Sequence, residues 1–204
     1  MKLLHVDSSI LGAYSVTRVL TAAIVEQEKK LHPGLEIVTR DLIEDTLYHL
    51  APRHLAVLQG GTTTNENLIA DLALGAAVLD EVIAADIIVI GAPMYNFGIP
   101  SQLKAWIDRI VVAGKTFRYT DTGTVESLLP KGKKVIIASS TGGAYGPQSP
   151  AALLEHQVSY LKGTLAFIGL TDVTVIGAEG IALGPEAREA ALKAALAEVA
   201  KLAA

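Results

Sequence analysis

Three segments of the sequence combine small, hydroxyl-bearing and aromatic residues in a way that suits binding of a small organic ligand. The first, DSSILGAYSVT (7–17), carries the hydroxyls of Ser9, Ser15 and Thr17 and runs into a predicted helix. Free backbone N–H groups at a helix start, together with such hydroxyls, suit a phosphate. The segment has neither G-x-G-x-x-G nor G-x-x-x-x-G-K-[ST], so a single terminal phosphate fits better than a pyrophosphate. The alternative is that Ser15 merely caps the helix.

The second segment, APMYNFG, places two aromatic side chains on either side of an asparagine. A flat heteroaromatic ring can lie against Tyr95 and Phe97, with Asn96 and backbone N–H groups meeting its edge. The alternative is that Met94 and Phe97 pack beneath the following helix, because large apolar residues are most often buried.

The third segment, SSTGG (139–143), offers consecutive small residues whose backbone can approach a ring edge closely. Each of the three segments follows a predicted strand. In open α/β sheets, ligands bind beyond the carboxyl ends of the strands. The three segments together therefore predict one crevice for a mononucleotide with a flat ring.

The elements that must position these segments alternate regularly along the chain. Runs of β-branched and aliphatic residues predict five strands, and apolar residues at three- and four-residue spacing predict the helices between them. This alternation predicts right-handed βαβ units. The expected fold class is α/β, a flavodoxin-like doubly wound five-stranded parallel sheet of order 2-1-3-4-5 with helices on both faces. The predicted strands are 2–6, 35–42, 86–93, 133–140 and 172–180, and the predicted helices are 15–31, 66–85, 100–114, 150–169 and 184–202.

Two connections are too long for ordinary turns of such a fold. Segment 43–65 is expected to be functional or to contain short elements of its own, and segment 114–132 is predicted to form a small hairpin. His49 and His54 are interpreted as exposed loop residues, with contact to substrate as the alternative. Trp106, on a predicted helix, is assigned to the core or to an interface.

The composition limits the partners and the chemistry of the chain. With a formal net charge of −4 and a pI near 5.7, neither nucleic acid nor an anionic membrane is expected as a partner. The chain has no cysteine, which excludes a thiolate metal site and a cysteine nucleophile. The histidines show no ligand spacing, so no metal site is predicted. No apolar run approaches the roughly 20 residues of a membrane span, and the first apolar run is short for a signal peptide. The chain is therefore predicted to be cytoplasmic.

The chain resembles the FMN-dependent NADH-azoreductases of the flavodoxin-like NAD(P)H:quinone oxidoreductase group. The resemblance rests on DSSILGAYS, PMYNFGIPSQLKAWIDRI, GKTFRYTDTG, STGG and AEGIALGPE, which occur in order over nearly the whole chain. It implies a single FMN-binding domain over 1–204, NADH as electron donor, and a homodimer with two sites built from both chains. The implied activity is two-electron reduction of quinones and azo compounds by a ping-pong mechanism, with the hydride chemistry on FMN and no catalytic side chain.

The resemblance also assigns contacts to individual residues. Ser9 and the turn formed by Ser15, Val16 and Thr17 would hold the FMN phosphate. Tyr119 would border the substrate across a homodimer interface. The other implied contacts to FMN are Pro93, Met94, Tyr95, Asn96, Phe97, Ser140, Thr141, Gly142 and Gly143, and Thr141 stands where members of the family often carry an arginine.

Two other functional classes remain as alternatives. A flavodoxin-type electron carrier without its own NADH-dependent activity would share the fold and the cofactor, although such carriers tend to be shorter and strongly acidic. A phosphate-ester hydrolase would use the first segment as its anion site and Asp7 as its carboxylate. The hydrolase is the weaker alternative, because the chain offers neither a cysteine nucleophile nor a cluster of metal-ligating residues.

Overall fold

The structure, a computed structural model, describes residues 1–203. The strands are β1 (Lys2–Asp7), β2 (Glu36–Asp41), β3 (Ile87–Pro93), β4 (Phe117–Tyr119), β5 (Val125–Ser127), β6 (Lys134–Ser140) and β7 (Asp172–Ala178). The helices are α1 (Val16–Leu31), α2 (Pro52–Leu58), α3 (Glu66–Ala84), α4 (Ser101–Ile110), α5 (Val158–Phe167) and α6 (Pro185–Val199). Within the described range, no helix combines the length and the hydrophobicity needed to cross a membrane.

Five of the strands form one parallel sheet in the order β2-β1-β3-β6-β7, which confirms the predicted order. The central strand β3 is buried along its whole length, as its unbroken apolar sequence requires of a parallel strand covered on both faces. Near the carboxyl ends of the strands, Asp7 of β1 is in register with Gly91 of β3, and Pro93 of β3 is in register with Ser140 of β6. The three segments that follow β1, β3 and β6 therefore leave the sheet side by side.

Helices cover both faces of the sheet and enclose two cores. One core lies between the sheet and helices α3, α4 and α5, and it includes the fully buried Trp106. The other lies between the sheet and helices α1 and α6. The assignment of Trp106 to the core is thus confirmed.

Helices α4 and α5 are shorter than predicted because side chains satisfy the backbone at their ends. Helix α4 ends at Ile110, since the hydroxyl of Thr116 donates to the carbonyl of Ile110 and accepts the N–H of Val112. The predicted helix 150–169 begins only at Val158, since the carboxylate of Glu155 accepts N–H groups of its first turn. Burial opposes ionisation of Glu155, but these hydrogen bonds prevail and lower its pKa.

The two long connections contain short elements, as expected. Strands β4 and β5 form the predicted antiparallel hairpin. The connection between β2 and α3 contains α2, which carries His54. The interpretation of His54 as an exposed loop residue is wrong: the side chain is fully buried, and its Nε2 atom lies 3.0 Å from the Oδ2 atom of Asp71. A buried carboxylate on α3 holds the ring inside the fold, and the separation of the two residues along the chain does not reveal this contact.

Candidate flavin site at the carboxyl edge of the sheet

The segment after β1 forms a candidate anion site at the start of α1. Ser15 caps the helix, because its Oγ atom accepts the N–H of Arg18 at 3.2 Å and lies 3.0 Å from the Oγ1 atom of Thr17. The next two backbone N–H groups, those of Val16 and Thr17, have no hydrogen-bond partner within residues 1–203. Orphan N–H groups at a helix start bind anions readily. Ser15 therefore caps the helix beside these two donors, which together form a candidate anion site.

Arg18 ties this segment to the neighbouring strand, and sequence reasoning missed it. Its Nε and Nη2 atoms donate to the carbonyl oxygen of Ser9 at 3.3 and 2.9 Å, and its guanidinium binds both carboxylate oxygens of Asp41. The hydrogen bond from Arg18 lowers the pKa of Asp41. Nothing in the spacing of these residues along the chain indicates that the three groups meet.

The segment after β3 turns sharply at Tyr95–Gly98. The two end residues exchange both backbone hydrogen bonds, at 2.9 and 3.1 Å. The residues between them are left-handed, with φ of +48° at Asn96 and +71° at Phe97. This conformation is unfavourable for a side chain such as that of phenylalanine, and such strain concentrates at functional sites. The N–H groups of Asn96 and Phe97 lack partners in the described part of the chain, so both are available to a ligand.

Tyr95 connects this turn to the anion site. Its hydroxyl accepts the N–H of Ile10 at 3.1 Å and lies 3.3 Å from the Oγ atom of Ser9. The strand ends are joined on the other side too, because Met94 donates its N–H to the carbonyl of Ser140 at 2.8 Å. The structure thus brings the three segments into one continuous surface.

The segment after β6 presents a row of free donors. The carbonyl oxygens of residues 141–143 accept N–H groups from residues 180–182, at 3.0 to 3.1 Å. The N–H groups of Gly142 and Gly143 find no acceptor within residues 1–203. The hydroxyl of Thr141 donates to the carbonyl of Gly143 at 2.7 Å and so holds the loop in shape. This edge is therefore a rigid pair of backbone donors.

Tyr145 borders the same surface and was also missed. A Cβ atom placed on Gly143 would lie 3.3 Å from the Tyr145 hydroxyl, so the ring lies directly beside the glycine backbone. Its centroid is 6.1 Å from that of Phe97 in an edge-to-face arrangement. Two aromatic rings from different loops therefore flank the free donors.

Tyr119 is the one predicted site residue that a single chain does not bring to this surface. It lies on the β4–β5 hairpin, 65% exposed, with its ring against that of Phe117. The hairpin packs at the far end of α5, where Phe117 contacts Phe167 and Ser127 donates to the carbonyl of Ile168 at 2.6 Å. That end of α5 precedes β7, at the amino edge of the sheet and away from the three segments.

Asp7, the carboxylate of the hydrolase alternative, is engaged inside the fold. Its Oδ1 atom accepts the hydroxyl of Thr21 at 2.9 Å, and its Oδ2 atom lies 3.2 Å from His5 and 3.6 Å from Arg18. A carboxylate surrounded in this way has a structural role between β1 and α1.

Comparisons with known proteins agree with this geometry. A family model described as flavodoxin-like fold matches residues 1–203. The chain is 56% identical over 196 residues to an FMN-dependent NADH:quinone oxidoreductase of Methylorubrum extorquens, covering 96% of each protein. It is 51% identical over 204 residues to the protein of that name from a Bradyrhizobium species, with complete coverage of both.

Solved structures lead to the same group. An azoreductase from Bacillus anthracis str. Sterne superimposes with a TM-score of 0.86 at 30% identity, covering 98% of this chain and 97% of that one. An FMN-dependent NADH-azoreductase from Bacillus anthracis str. Ames Ancestor, in complex with FMN, also superimposes with a TM-score of 0.86, at 26% identity and with coverage of 98% and 96%. The chain belongs to the flavodoxin-like fold family.

Proposed function

We infer that this chain is an FMN-dependent NADH:quinone oxidoreductase with azoreductase activity. The single observation that carries the inference is that six backbone N–H groups at one edge of the sheet lack hydrogen-bond partners within residues 1–203. They occur two by two, at residues 16–17, 96–97 and 142–143. One pair lies at a helix start, and the other two lie on loops flanked by aromatic rings. The relatives of more than half identical sequence carry the same activity in their names.

The residues present fit FMN at both of its ends. The helix-start donors and the hydroxyls of Ser9, Ser15 and Thr17 suit its phosphate. The donors at Asn96 and Phe97 and those at Gly142 and Gly143 suit the polar edges of its ring. We propose that the remaining contacts to the ring and its chain come from Pro93, Met94, Tyr95, Ser140 and Thr141.

Bound FMN supplies the hydride chemistry, and the protein supplies position, exclusion of water and electrostatics. We propose that the Gly142 and Gly143 N–H groups stabilise negative charge that develops at the adjacent ring edge. The left-handed turn at Asn96 and Phe97 would supply two further backbone donors to the ring. The chain needs no acid or base for this role, because fixed backbone donors act without titrating.

The test is a visible spectrum of the protein after loading with FMN and removal of the excess. NADH is then added without oxygen. We expect a bound-flavin spectrum that bleaches directly, with no long-lived radical. Bound flavin that NADH does not bleach would favour the electron-carrier alternative, and the lack of any bound flavin would overturn the proposed function. Parallel double-reciprocal plots for NADH and quinone would support the ping-pong order, and intersecting plots would contradict it.

We also propose that the protein is a homodimer in which Tyr119 borders the partner's site. The support is the exposure of this tyrosine far from the site of its own chain, together with exposed Leu58 and Leu153. A solution mass twice the chain mass of 21.4 kDa is expected from light scattering. Tyr119→Ala should lower kcat/KM for quinones while leaving FMN affinity unchanged. A monomeric mass, or an unaltered kcat/KM, would contradict this proposal.

The organisation and the location of the chain are proposed on the same basis. We propose one FMN-binding domain over 1–204, supported by a single sheet covered on both faces. We propose a cytoplasmic location, supported by the use of NADH as a reductant. Limited proteolysis and cell fractionation test the two proposals: early cleavage into two stable halves, or recovery with membranes, would overturn them.

A further inference from the structure

We propose that Arg18 is a positioning residue for the phosphate-binding segment. Its guanidinium holds the segment through hydrogen bonds to the carbonyl of Ser9, and Asp41 holds the guanidinium in place. The proposal rests on the proposed function, because it concerns how the same segment binds the FMN phosphate. In this role the guanidinium sets the geometry of the N–H groups and hydroxyls that contact the phosphate, and it does not itself neutralise the phosphate.

The hydrogen bonds of Arg18 close the segment on itself. The residue stands in the first turn of α1, and its Nε and Nη2 atoms reach back to the Ser9 carbonyl at the other end of the segment. The same turn holds the free N–H groups of Val16 and Thr17. A rigid link therefore sets the distance between the Ser9 hydroxyl and the helix-start donors, which the phosphate must contact together.

Asp41 holds the guanidinium in this position. Its two carboxylate oxygens accept from Nη1 and Nη2 at 2.5 and 2.9 Å, a planar two-point contact that arginine makes and lysine does not. Oδ1 of Asp41 also accepts the N–H of Ile43 at 3.1 Å, which fixes the carboxylate at the end of β2. The arrangement links β2, β1 and α1 through one side chain.

The charges around Arg18 distinguish positioning from direct attraction. The guanidinium also lies 3.6 Å from the Oδ2 atom of Asp7, in addition to its contacts with Asp41. The same Oδ2 atom lies 3.2 Å from Nε2 of His5. One cation thus faces two carboxylates, so no net positive charge is left for a phosphate. In a direct role, removing Asp41 would release the cation and tighten phosphate binding. In a positioning role, it would loosen the segment and weaken binding. The two roles therefore predict opposite changes in FMN affinity when Asp41 is replaced.

The experiment measures the affinity of flavin-free protein for FMN and for riboflavin, by quenching of flavin fluorescence. Riboflavin has the same ring and lacks the phosphate, so it reports the rest of the site. We expect Asp41→Asn, Arg18→Met and Arg18→Lys each to weaken FMN binding about tenfold, the worth of one charge-assisted hydrogen bond. Riboflavin binding is expected to change less than about twofold, since the ring-binding loops are untouched.

A matched control is Arg40→Met. Arg40 forms a similar pair with Asp45 at 2.6 Å and with Glu81, away from the phosphate segment. This variant should bind both flavins like the wild type, which would show that losing a partly buried arginine pair does not by itself lower affinity. Circular dichroism confirms folding, and the Asp41→Asn and Arg18→Lys variants keep the test decisive if Arg18→Met does not fold.

The outcomes separate this proposal from the proposed function. Wild-type protein that binds neither flavin overturns both. Wild-type binding of FMN together with equal or tighter binding by Asp41→Asn, or with normal binding by Arg18→Lys, overturns the positioning role alone. An equal loss of affinity for FMN and riboflavin also overturns it, because the effect would then be a general weakening of the fold.

Discussion

Replacing Asp71 with asparagine would break the buried charge cluster that fixes the connection between β2 and α3. The Oδ2 atom of Asp71 accepts from Nη2 of Arg109 and lies 3.0 Å from Nε2 of His54, and its Oδ1 atom accepts the N–H of Tyr48 at 2.7 Å. The N–H of Ala51 donates to Nδ1 of His54 at 3.0 Å, so the ring proton lies on Nε2 and is donated to Asp71. One carboxylate therefore satisfies three donors, which come from α4, from α2 and from the connection between β2 and α2.

The expected cost follows from the burial of the cluster. The side chains of Asp71 and Arg109 are 3% and 5% exposed. An asparagine keeps one acceptor oxygen but turns an NH₂ donor toward other donors, and it leaves the guanidinium without a counter-charge. Removing one partner of a buried ion pair costs about 3–5 kcal/mol, against a total stability of about 5–15 kcal/mol. We expect Asp71→Asn to lower the free energy of unfolding by about 3 kcal/mol.

Urea unfolding of the flavin-free protein, followed by far-ultraviolet circular dichroism, measures this cost from the shift of the midpoint at unchanged slope. Asp80→Asn is the matched control, because Asp80 is exposed on the same helix, and it should change stability by less than about 0.5 kcal/mol. The double variant Asp71→Asn with Arg109→Met should be more stable than Asp71→Asn alone, since it also removes the buried guanidinium that has lost its counter-charge. A loss below about 1 kcal/mol for Asp71→Asn would refute the reasoning.

Three further predictions concern pH, the glycine edge and a helix cap. The hydrogen bond from Arg18 lowers the pKa of Asp41. The ionised carboxylate therefore contributes to the stability of the fold above its ordinary pKa of 3.8, and this contribution is lost as the pH falls below 3.8. The excess of the wild-type Tm over that of Asp41→Asn should therefore shrink between about pH 5 and about pH 3, and a constant difference would contradict this. Gly142→Val and Gly143→Val should each fold yet weaken FMN binding or flavin reduction by NADH, because the added side chain blocks close approach of the ring edge to the backbone N–H groups, and normal titration and bleaching would contradict this close approach. Glu155→Ala should cost about 1 kcal/mol by thermal denaturation through loss of the cap on α5, and an unaltered Tm would count against it.

The parts of the fold that sequence could predict are those with local causes. Strand β3 is apolar throughout and is buried throughout, and helix α6 starts at Pro185, where the sequence indicates a start. The hairpin lies within 114–132, as the sequence predicts. The three segments of the site could be found because they follow strands, and strand ends meet at one edge of a parallel sheet.

The parts that sequence missed depend on partners far along the chain or on backbone conformation. Arg18 meets Asp41 across 23 positions, and His54 meets Asp71 across 17. Neither separation along the chain produces a pattern that could be recognised in the sequence. The left-handed conformation of Phe97 has no sequence signal either, because phenylalanine normally avoids it.

The candidate site consists largely of backbone N–H groups, and this determines which substitutions change its affinity for flavin. A backbone donor is present whatever the side chain, so the residues that touch a flavin through their N–H groups can vary as long as the loop keeps its shape. The side chains that hold that shape cannot vary so freely: Arg18 on the Ser9 carbonyl, and Tyr95 through its hydroxyl beside the same serine. Flavin affinity should therefore depend more on these supporting contacts than on most side chains facing the ring. Val16 illustrates the point, because its N–H group lies in the candidate anion site while its side chain packs into the core beneath α1.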